Sequence, residues 1–329
     1  MTGYKETSAA AVRAVRKMMP DRSGKVSGSE LSDTAARNSE KMIYIAIPNK
    51  GRLHEPTLSM FKDAGLPVQG AGNGSRQLIA KTSDPDITFI LARAADIPLF
   101  VAEGTADIGV TGLDLIAEKG ADLDVMTELD YGKASLVLAV PNMSPIRELK
   151  DLEGKRVATE FPAVTRRFFE ENRINVDVIE VSGACEMTPH IGVADAIVDI
   201  TSSGTTLLIN QLRQVAPVFD SRVCLVANRK SISDPEKKKI RDVGMAIESV
   251  LCAKKKRYIM MNVPGEALAE VEKIIPGLAG PTIMEVQSDR KMYAVHVVVD
   301  ADEIFMLVGK LREAGANGIL VLPIERLIP

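Results

Sequence analysis

The sequence predicts an α/β protein: two α/β lobes followed by a small α+β module. Three observations carry this. From Met42 to about residue 255, strand-like apolar runs alternate with helix-like amphipathic runs, the pattern of sheets covered by helices on both faces. Near Arg257 the rhythm becomes strand, helix, strand, strand, helix, strand. The chain has 329 residues, 46% of them hydrophobic, enough for two or three cores.

The elements follow in order. Residues 1–41 are polar and lack sustained apolar periodicity; the acids Glu6, Asp21, Glu30, Asp33 and Glu40 argue against a transit peptide, and a disordered tail is expected, or a start placed upstream of an older one at Met42. "MIYIAI" reads as a buried strand ended by Pro48. "NKGRLHEPTLSMFKDAGL" is a glycine-containing loop and then a helix. Pro56 suits its first turn, Leu58, Met60, Phe61 and Ala64 form its apolar side, and Gly65 stops it. "DITFILA" is a strand. "ADIPLFVAEG" is a short helix with Asp96 as N-cap. "ADIGVTG", "LDLIAEKG", "ASLVLAVP", "RVATE", "AVTRRFFEEN", "VDVIEV" and "ADAIVDI" continue the alternation. "TLLINQLRQ" reads as a helix, and "DPEKKKIRDVGMAIESVLCAKKKR" as a long helix whose basic runs are a solvated face. The closing βαββαβ pattern, "RYIMMNV" to "ANGILVLPIE", is ferredoxin-like. Parallel sheets are expected in both lobes. The expected boundaries are 42–135 with 208–252 for the first lobe, 136–207 for the second and 253–329 for the last module.

Composition excludes several classes. A net charge of −3 argues against bulk nucleic-acid binding, which needs phosphates neutralised by Lys and Arg. No apolar run approaches the roughly 20 residues of a membrane span. Three isolated cysteines, Cys185, Cys224 and Cys252, fit a reducing cytoplasm. His54, His190 and His296 show no metal-ligand spacing, and neither GxSxG nor a P-loop occurs. "GAGNGS", Gly70 to Ser75, reads as a flexible turn.

One stretch stands apart: "DAIVDITSSGTTLL", Asp195 to Leu208. A strand delivers Asp199 to its carboxyl end, where open α/β sheets bind ligands. Thr201, Ser202, Ser203, Thr205 and Thr206 then crowd around Gly204, leading into a helix whose first N–H groups favour an anion. Asp199 would repel a phosphate but suits sugar hydroxyls or Mg²⁺. A ribose 5-phosphate needs that pairing; an ordinary capped helix after a buried strand is the competing reading. Asp195, four residues earlier, either reaches the ligand or holds the loop.

"GACEMTPHIGVADAIVDITSSGTTL" resembles the signature of the ATP phosphoribosyltransferases, with Glu186, Gly192, Ala194, Ile197, Asp199, Ser203, Gly204, Thr206 and Leu207 at its positions. "IAIPNKGRL", "RAADIPLFVAEGTADIGVTGLD" and "LEGKRVATEFPAVTRRFFEE" resemble further blocks of the family, and the final module resembles the regulatory domain of its long form. The likeness covers residues 42–329. One departure is "YGKASLVLA", where Ala134 and Ser135 replace a cysteine and a basic residue, and no site role is given there.

The resemblance implies a two-lobed, periplasmic-binding-protein-like catalytic core plus a ferredoxin-like regulatory domain. It implies transfer of 5-phosphoribosyl from 5-phosphoribosyl 1-diphosphate to N1 of ATP with Mg²⁺, opening histidine biosynthesis under feedback by histidine. It implies Glu186 and Asp199 on ribose hydroxyls and Thr201 to Thr206 on the 5-phosphate. Lys50, Gly51, Arg52, Arg93, Asp96, Asp114 and Arg166 are then candidates for ATP or diphosphate, and Gly280 and Thr282 for the effector. AMP is a further ligand, and a homo-oligomer, a hexamer exchanging with dimers, is the implied assembly. A non-catalytic solute-binding protein, or a phosphoribosyltransferase with another base, are the alternatives.

Overall fold

The computed structural model describes residues 42–72, 77–275 and 280–328. The expectations for the 1–41 tail, and for Asn73 to Ser75 of the glycine-rich turn, lie outside them. Residues 42–59 and 66–244 form one compact unit, and 60–65 with 245–328 another.

The first unit begins with β1 (Ile43–Pro48), buried along its whole length as a strand covered on both faces must be. Then come α1 (His54–Asp63), β2 (Ile79–Lys81), β3 (Ile87–Ala92), α2 (Ile97–Ala102), β4 (Ile108–Gly112), α3 (Leu113–Lys119) and β5 (Asp124–Glu128). A second group follows: β6 (Ala134–Pro141), β7 (Arg156–Thr159), α4 (Pro162–Glu171), β8 (Asp177–Glu180), β9 (Ala196–Thr201), α5 (Thr205–Ile209) and β10 (Leu212–Ser221). The chain returns through β11 (Val223–Ala227), α6 (Arg229–Ser233) and α7 (Lys239–Lys254). The sheet orders are β2-β3-β1-β4-β11-β5 and β10-β6-β9-β7-β8. These are two α/β lobes joined by two crossings, residues 129–133 and Arg222, the plan of a periplasmic-binding-protein-like fold.

The sheets are mixed, against the expectation of parallel ones. β11 runs antiparallel to β4 and β5, and β6 antiparallel to β9 and β10. For β10 the reason is residues 206–214, read as one helix. α5 has only five residues; Gln211 then takes φ 53 and the chain turns back as β10. Its two register shifts, after Gln214 and Pro217, blur the alternation that marks a strand, and Pro217 is tolerated because β10 is an edge strand. Residues 212–221 therefore belong to the second lobe, not to the first as the expected 208–252 segment had it.

The crossings are tightly held. Arg222 donates to both carboxylate oxygens of Glu128 at 2.8 and 2.7 Å. The buried Thr57 hydroxyl meets Tyr131 Oη at 2.9 Å. Gly132, at φ 68, stands where an added Cβ would come within 2.6 Å of both Leu53 and Val223. α3 packs Leu113 and Ile116 on the first lobe's core and Leu115 and Ala117 on the second's. Glu118 on α3 accepts the N–H groups of Ala163 (2.9 and 3.1 Å) and Val164 (3.0 Å), covering the open first turn of α4. Burial raises the Glu118 carboxyl, and those two N–H groups partly offset the rise.

The second unit carries β12 (Lys256–Pro264), α8 (Leu268–Ile274), β13 (Thr282–Val286), β14 (Met292–Asp300), α9 (Ile304–Glu313) and β15 (Asn317–Pro323). The sheet order β13-β14-β12-β15, all antiparallel, is that of a ferredoxin-like fold. Val263, Val271, Val297 and Leu311 lie in its core. The compact unit reaches back from the expected 253 to Met245, into the end of α7. The end of α7 goes with it because Ser249 Oγ accepts from Arg326 Nε and Ser249 O from Leu327 N, each at 2.9 Å.

Candidate functional site

β9 is buried at Ala196 to Val198 and opens from Asp199 onward, so the strand emerges from the core at its one acid. Asp199 Oδ1 accepts its neighbour Ile200 N–H at 2.7 Å. Burial, with Glu186 and Glu160 nearby adding negative charge, lifts the Asp199 carboxyl to about 6 against that hydrogen bond.

The turn beyond is organised by its own hydroxyls. Thr201 Oγ1 accepts Gly204 N–H at 2.9 Å, and the Ser203 and Thr205 hydroxyls meet at 2.8 Å. Gly204 has φ 75, a conformation that only glycine adopts cheaply; an added Cβ would meet nothing within 4 Å, so backbone conformation explains this glycine. Ser202, Ser203, Thr205 and Thr206 are exposed. α5 is too short for much of a dipole, so hydroxyls and loop N–H groups must hold any anion here.

Beside the turn, a 3-10 turn (Cys185–Met187) presents Glu186. Three bonds tie the segment leading to it onto the end of β7: Val181 N–H to Thr159 O at 3.0 Å, Gly183 N–H to the Glu160 carboxylate, and Cys185 Sγ to Ala158 O at 3.4 Å. Burial, with these acids around it, pushes the Cys185 thiol far up, so it is an inert filler. Asp195 accepts Arg156 N–H at 2.9 Å and Nε at 3.4 Å, which anchors the entry of β9 to β7.

A cavity of about 460 Å³ adjoins these carboxylates. Glu118, Lys119, Glu160, Phe161 and Glu180 are among its walls. It meets the acid cluster through Glu160; Asp199 and the hydroxyl turn lie outside it. The carboxylates and the hydroxyl turn converge at Asp199, beside this cavity rather than within it.

The remaining candidates divide. Lys50 and Gly51, the latter at φ 80, are exposed just beyond the carboxyl end of β1, and Arg93 just beyond that of β3. Arg52 Nη1 donates to Gly132 O at 3.0 Å, so part of this guanidinium serves the crossing. Asp96 makes no capping bond, contrary to expectation: it ends a 3-10 turn (Ala94–Asp96) in helical conformation, whereas a cap needs extended backbone. Burial raises its carboxyl against the pull of Arg93 and Lys119. Asp114 is 3% exposed and accepts Ser221 Oγ at 2.7 Å, which engages its carboxylate within the protein. Arg166 lines a different cavity, with Asn175 and Asp177 at the amino end of β8, remote from the strand ends that carry Asp199 and Glu160. Thr282 opens β13 opposite His296, and Gly280 precedes it at φ 93; residues 276–279 of that loop lie outside the described residues. His296 is a structural histidine, its Nδ1 2.8 Å from Tyr258 Oη. Sequence reasoning missed Glu160 and Glu118. Glu160 had a signal, as the residue directly after the strand "RVAT" at a carboxyl end; Glu118 had none.

The fold and site define a class: a two-lobed α/β protein with a carboxylate and a hydroxyl turn at a strand's end. Family models match as ATP phosphoribosyltransferase over residues 93–249 and as its C-terminal domain over 253–326. The ATP phosphoribosyltransferase of Methanosarcina acetivorans is 62% identical over 292 residues, spanning 88% of this chain and 100% of that relative. The one from Methanocaldococcus jannaschii is 49% identical over 291 residues, spanning 87% and 100%. A chain of the ATP phosphoribosyl transferase (HisG:HisZ) complex from Thermotoga maritima superimposes with a TM-score of 0.55 at 31% identity, covering 63% of this chain and 99% of that one. This chain belongs to the ATP phosphoribosyltransferase family. It is a pentosyltransferase that moves 5-phosphoribosyl from 5-phosphoribosyl 1-diphosphate to N1 of ATP, the first step of histidine biosynthesis.

Proposed function

We propose that the phosphoribosyl group is held at the carboxyl end of β9. Glu186 and Asp199 accept its ribose hydroxyls, and Thr201, Ser202, Ser203, Gly204, Thr205 and Thr206 hold its 5-phosphate. The observation that carries this is the single strand that leaves the core at Asp199 and runs straight into an exposed, self-organised hydroxyl turn. N1 of adenine attacks C1 as the C1–O bond to diphosphate breaks, and the electron pair leaves with the diphosphate. No protein nucleophile is needed. Carboxylates beside the ribose favour the positive charge growing at C1, so the site acts by orientation and field.

Lys50, Gly51 and Arg93, and the remaining donors of Arg52, face ATP or diphosphate in this reading. Mg²⁺ travels on the diphosphate, where it offsets the leaving charge; among the described residues no group of three or more His, Cys, Asp or Glu could hold it alone. The ferredoxin-like unit binds histidine as inhibitor, with Gly280 and Thr282 at the effector loop, and AMP is a second ligand. Assembly is a homo-oligomer, a hexamer exchanging with dimers. The exposed Phe305, Met306 and Leu320 supply apolar surface for it. Free cysteines support a cytoplasmic setting; among the described residues no helix is long and apolar enough to cross a membrane.

The test mixes protein, ATP, 5-phosphoribosyl 1-diphosphate and Mg²⁺, and follows the adduct by ultraviolet absorbance. Asp199→Asn should lower turnover about 100-fold or more; near-normal turnover would remove Asp199 from the site.

A further inference from the structure

Of the groups that no expectation used, Glu160 has the densest set of relations to the reacting end of the second lobe. It follows Thr159, the last residue of β7, which pairs with Val198 of the parallel neighbour β9 and with Glu180 of β8. One step past that register stand Glu160 on one strand and Asp199 on the other. Glu160 thus starts level with Asp199, while its carboxylate reaches the opposite way to take Gly183 N–H.

That hydrogen bond falls at a weak point. Gly183 and Ala184 both have positive φ, 82 and 51, and an alanine there is strained, a conformation that persists only when its surroundings hold it. Val181 and Cys185 fasten either end of the segment; Glu160 fastens the middle. The residue released from this strained turn, directly after Cys185, is Glu186.

We propose that Glu160 is a positioning residue for phosphoribosyl transfer: by holding Gly183 it fixes the strained turn that presents Glu186 to the ribose. The proposal rests on the assignment of Glu186 and Asp199 to the ribose made above. A second relation supports it. The Glu160 charge is one of the groups that raise the Asp199 carboxyl, after burial and Glu186. Glu160 also lines the 460 Å³ cavity, so it stands at the site's border and not beneath it.

Two variants separate geometry from charge. Glu160→Ala removes the tether. The KM for 5-phosphoribosyl 1-diphosphate should rise about tenfold, the scale of one lost hydrogen bond to a charged group, while the KM for ATP stays near the parent's. Glu160→Gln keeps an oxygen for Gly183 N–H and removes the charge. It should restore the KM for 5-phosphoribosyl 1-diphosphate and move the acid limb of kcat/KM down by roughly half a pH unit. A purely structural role would shift both KM values alike and leave the acid limb in place. An unchanged KM for 5-phosphoribosyl 1-diphosphate in Glu160→Ala overturns the proposal. If Glu160→Ala does not fold, Glu160→Asp, which shortens the tether to Gly183, takes its place: an unchanged KM for 5-phosphoribosyl 1-diphosphate overturns the proposal, and a raised one beside a parental KM for ATP supports it. Asp199→Asn run in parallel isolates the cause of failure. A dead Asp199→Asn beside a normal Glu160→Ala overturns this proposal alone; an active Asp199→Asn overturns the ribose assignment and this proposal with it.

Discussion

Asp199→Asn should make the protein more stable at pH 8 while abolishing turnover. The carboxyl stands near 6, above its ordinary 3.8, chiefly because burial penalises its charge. A carboxyl raised in the folded state contributes stability that is fully present below about pH 4 and lost as pH climbs through about 6. Above that window the buried anion opposes folding by up to about 3 kcal/mol, at about 1.4 kcal/mol per pH unit. The site is only partly buried, and solvent lowers this to between roughly 1 and 3 kcal/mol. Asparagine keeps the Oδ1 that accepts Ile200 N–H and removes the charge. Scanning calorimetry at pH 8 should show the transition of the two-lobed unit rising by roughly 2–12 °C, at about 2–4 °C per kcal/mol for a unit of this size. At pH 4 the variant and parent should melt nearly together. An Asp199→Asn protein that melts at or below the parent at pH 8, or gains as much at pH 4, would refute the reasoning. That result would mean the anion is already paired, and is not held at an energetic disadvantage for the substrate.

Other outcomes follow from the same structure. The kcat/KM for 5-phosphoribosyl 1-diphosphate should fall on the acid side with a limb near pH 6, as Asp199 becomes neutral and a weaker acceptor; a limb below 4 would contradict the burial argument. Glu118→Ala should lower stability by about 1–3 kcal/mol in urea unfolding, because it uncovers two N–H groups at the start of α4 and loosens the lobes. Gly132→Ala should destabilise by about 2 kcal/mol or more, since it combines positive φ with contacts on Leu53 and Val223; a neutral melt would show that the crossing adapts. Lys237→Met should lower the urea midpoint by about 3–5 kcal/mol equivalent, because it removes the cation 2.6 Å from the fully buried Asp107 carboxylate.

The sequence by itself determined the elements whose signal is local. The buried strand β1, the glycine-stopped helices, and the βαββαβ order of the last unit follow from apolar period and turn residues within a few positions of each other. So does the Asp199 turn: its acid, hydroxyls and glycine lie within eight residues of chain, and their chemistry needs no distant partner to be read. Tertiary structure decided what depends on pairing across the chain. The direction of β10 was hidden because an edge strand with two register shifts loses its alternation. Asp114 and Asp195 have the same residue type as Asp199, yet Ser221 and Arg156 turn them into anchors. Arg166 was a candidate through the resemblance of its block, and packing places it on another cavity. Glu160 and Glu118 act on N–H groups 23 and 45–46 residues away. A carboxylate's partner, and so whether it binds a ligand, holds a turn or joins two lobes, is set by distances that only the folded chain brings within hydrogen-bond range.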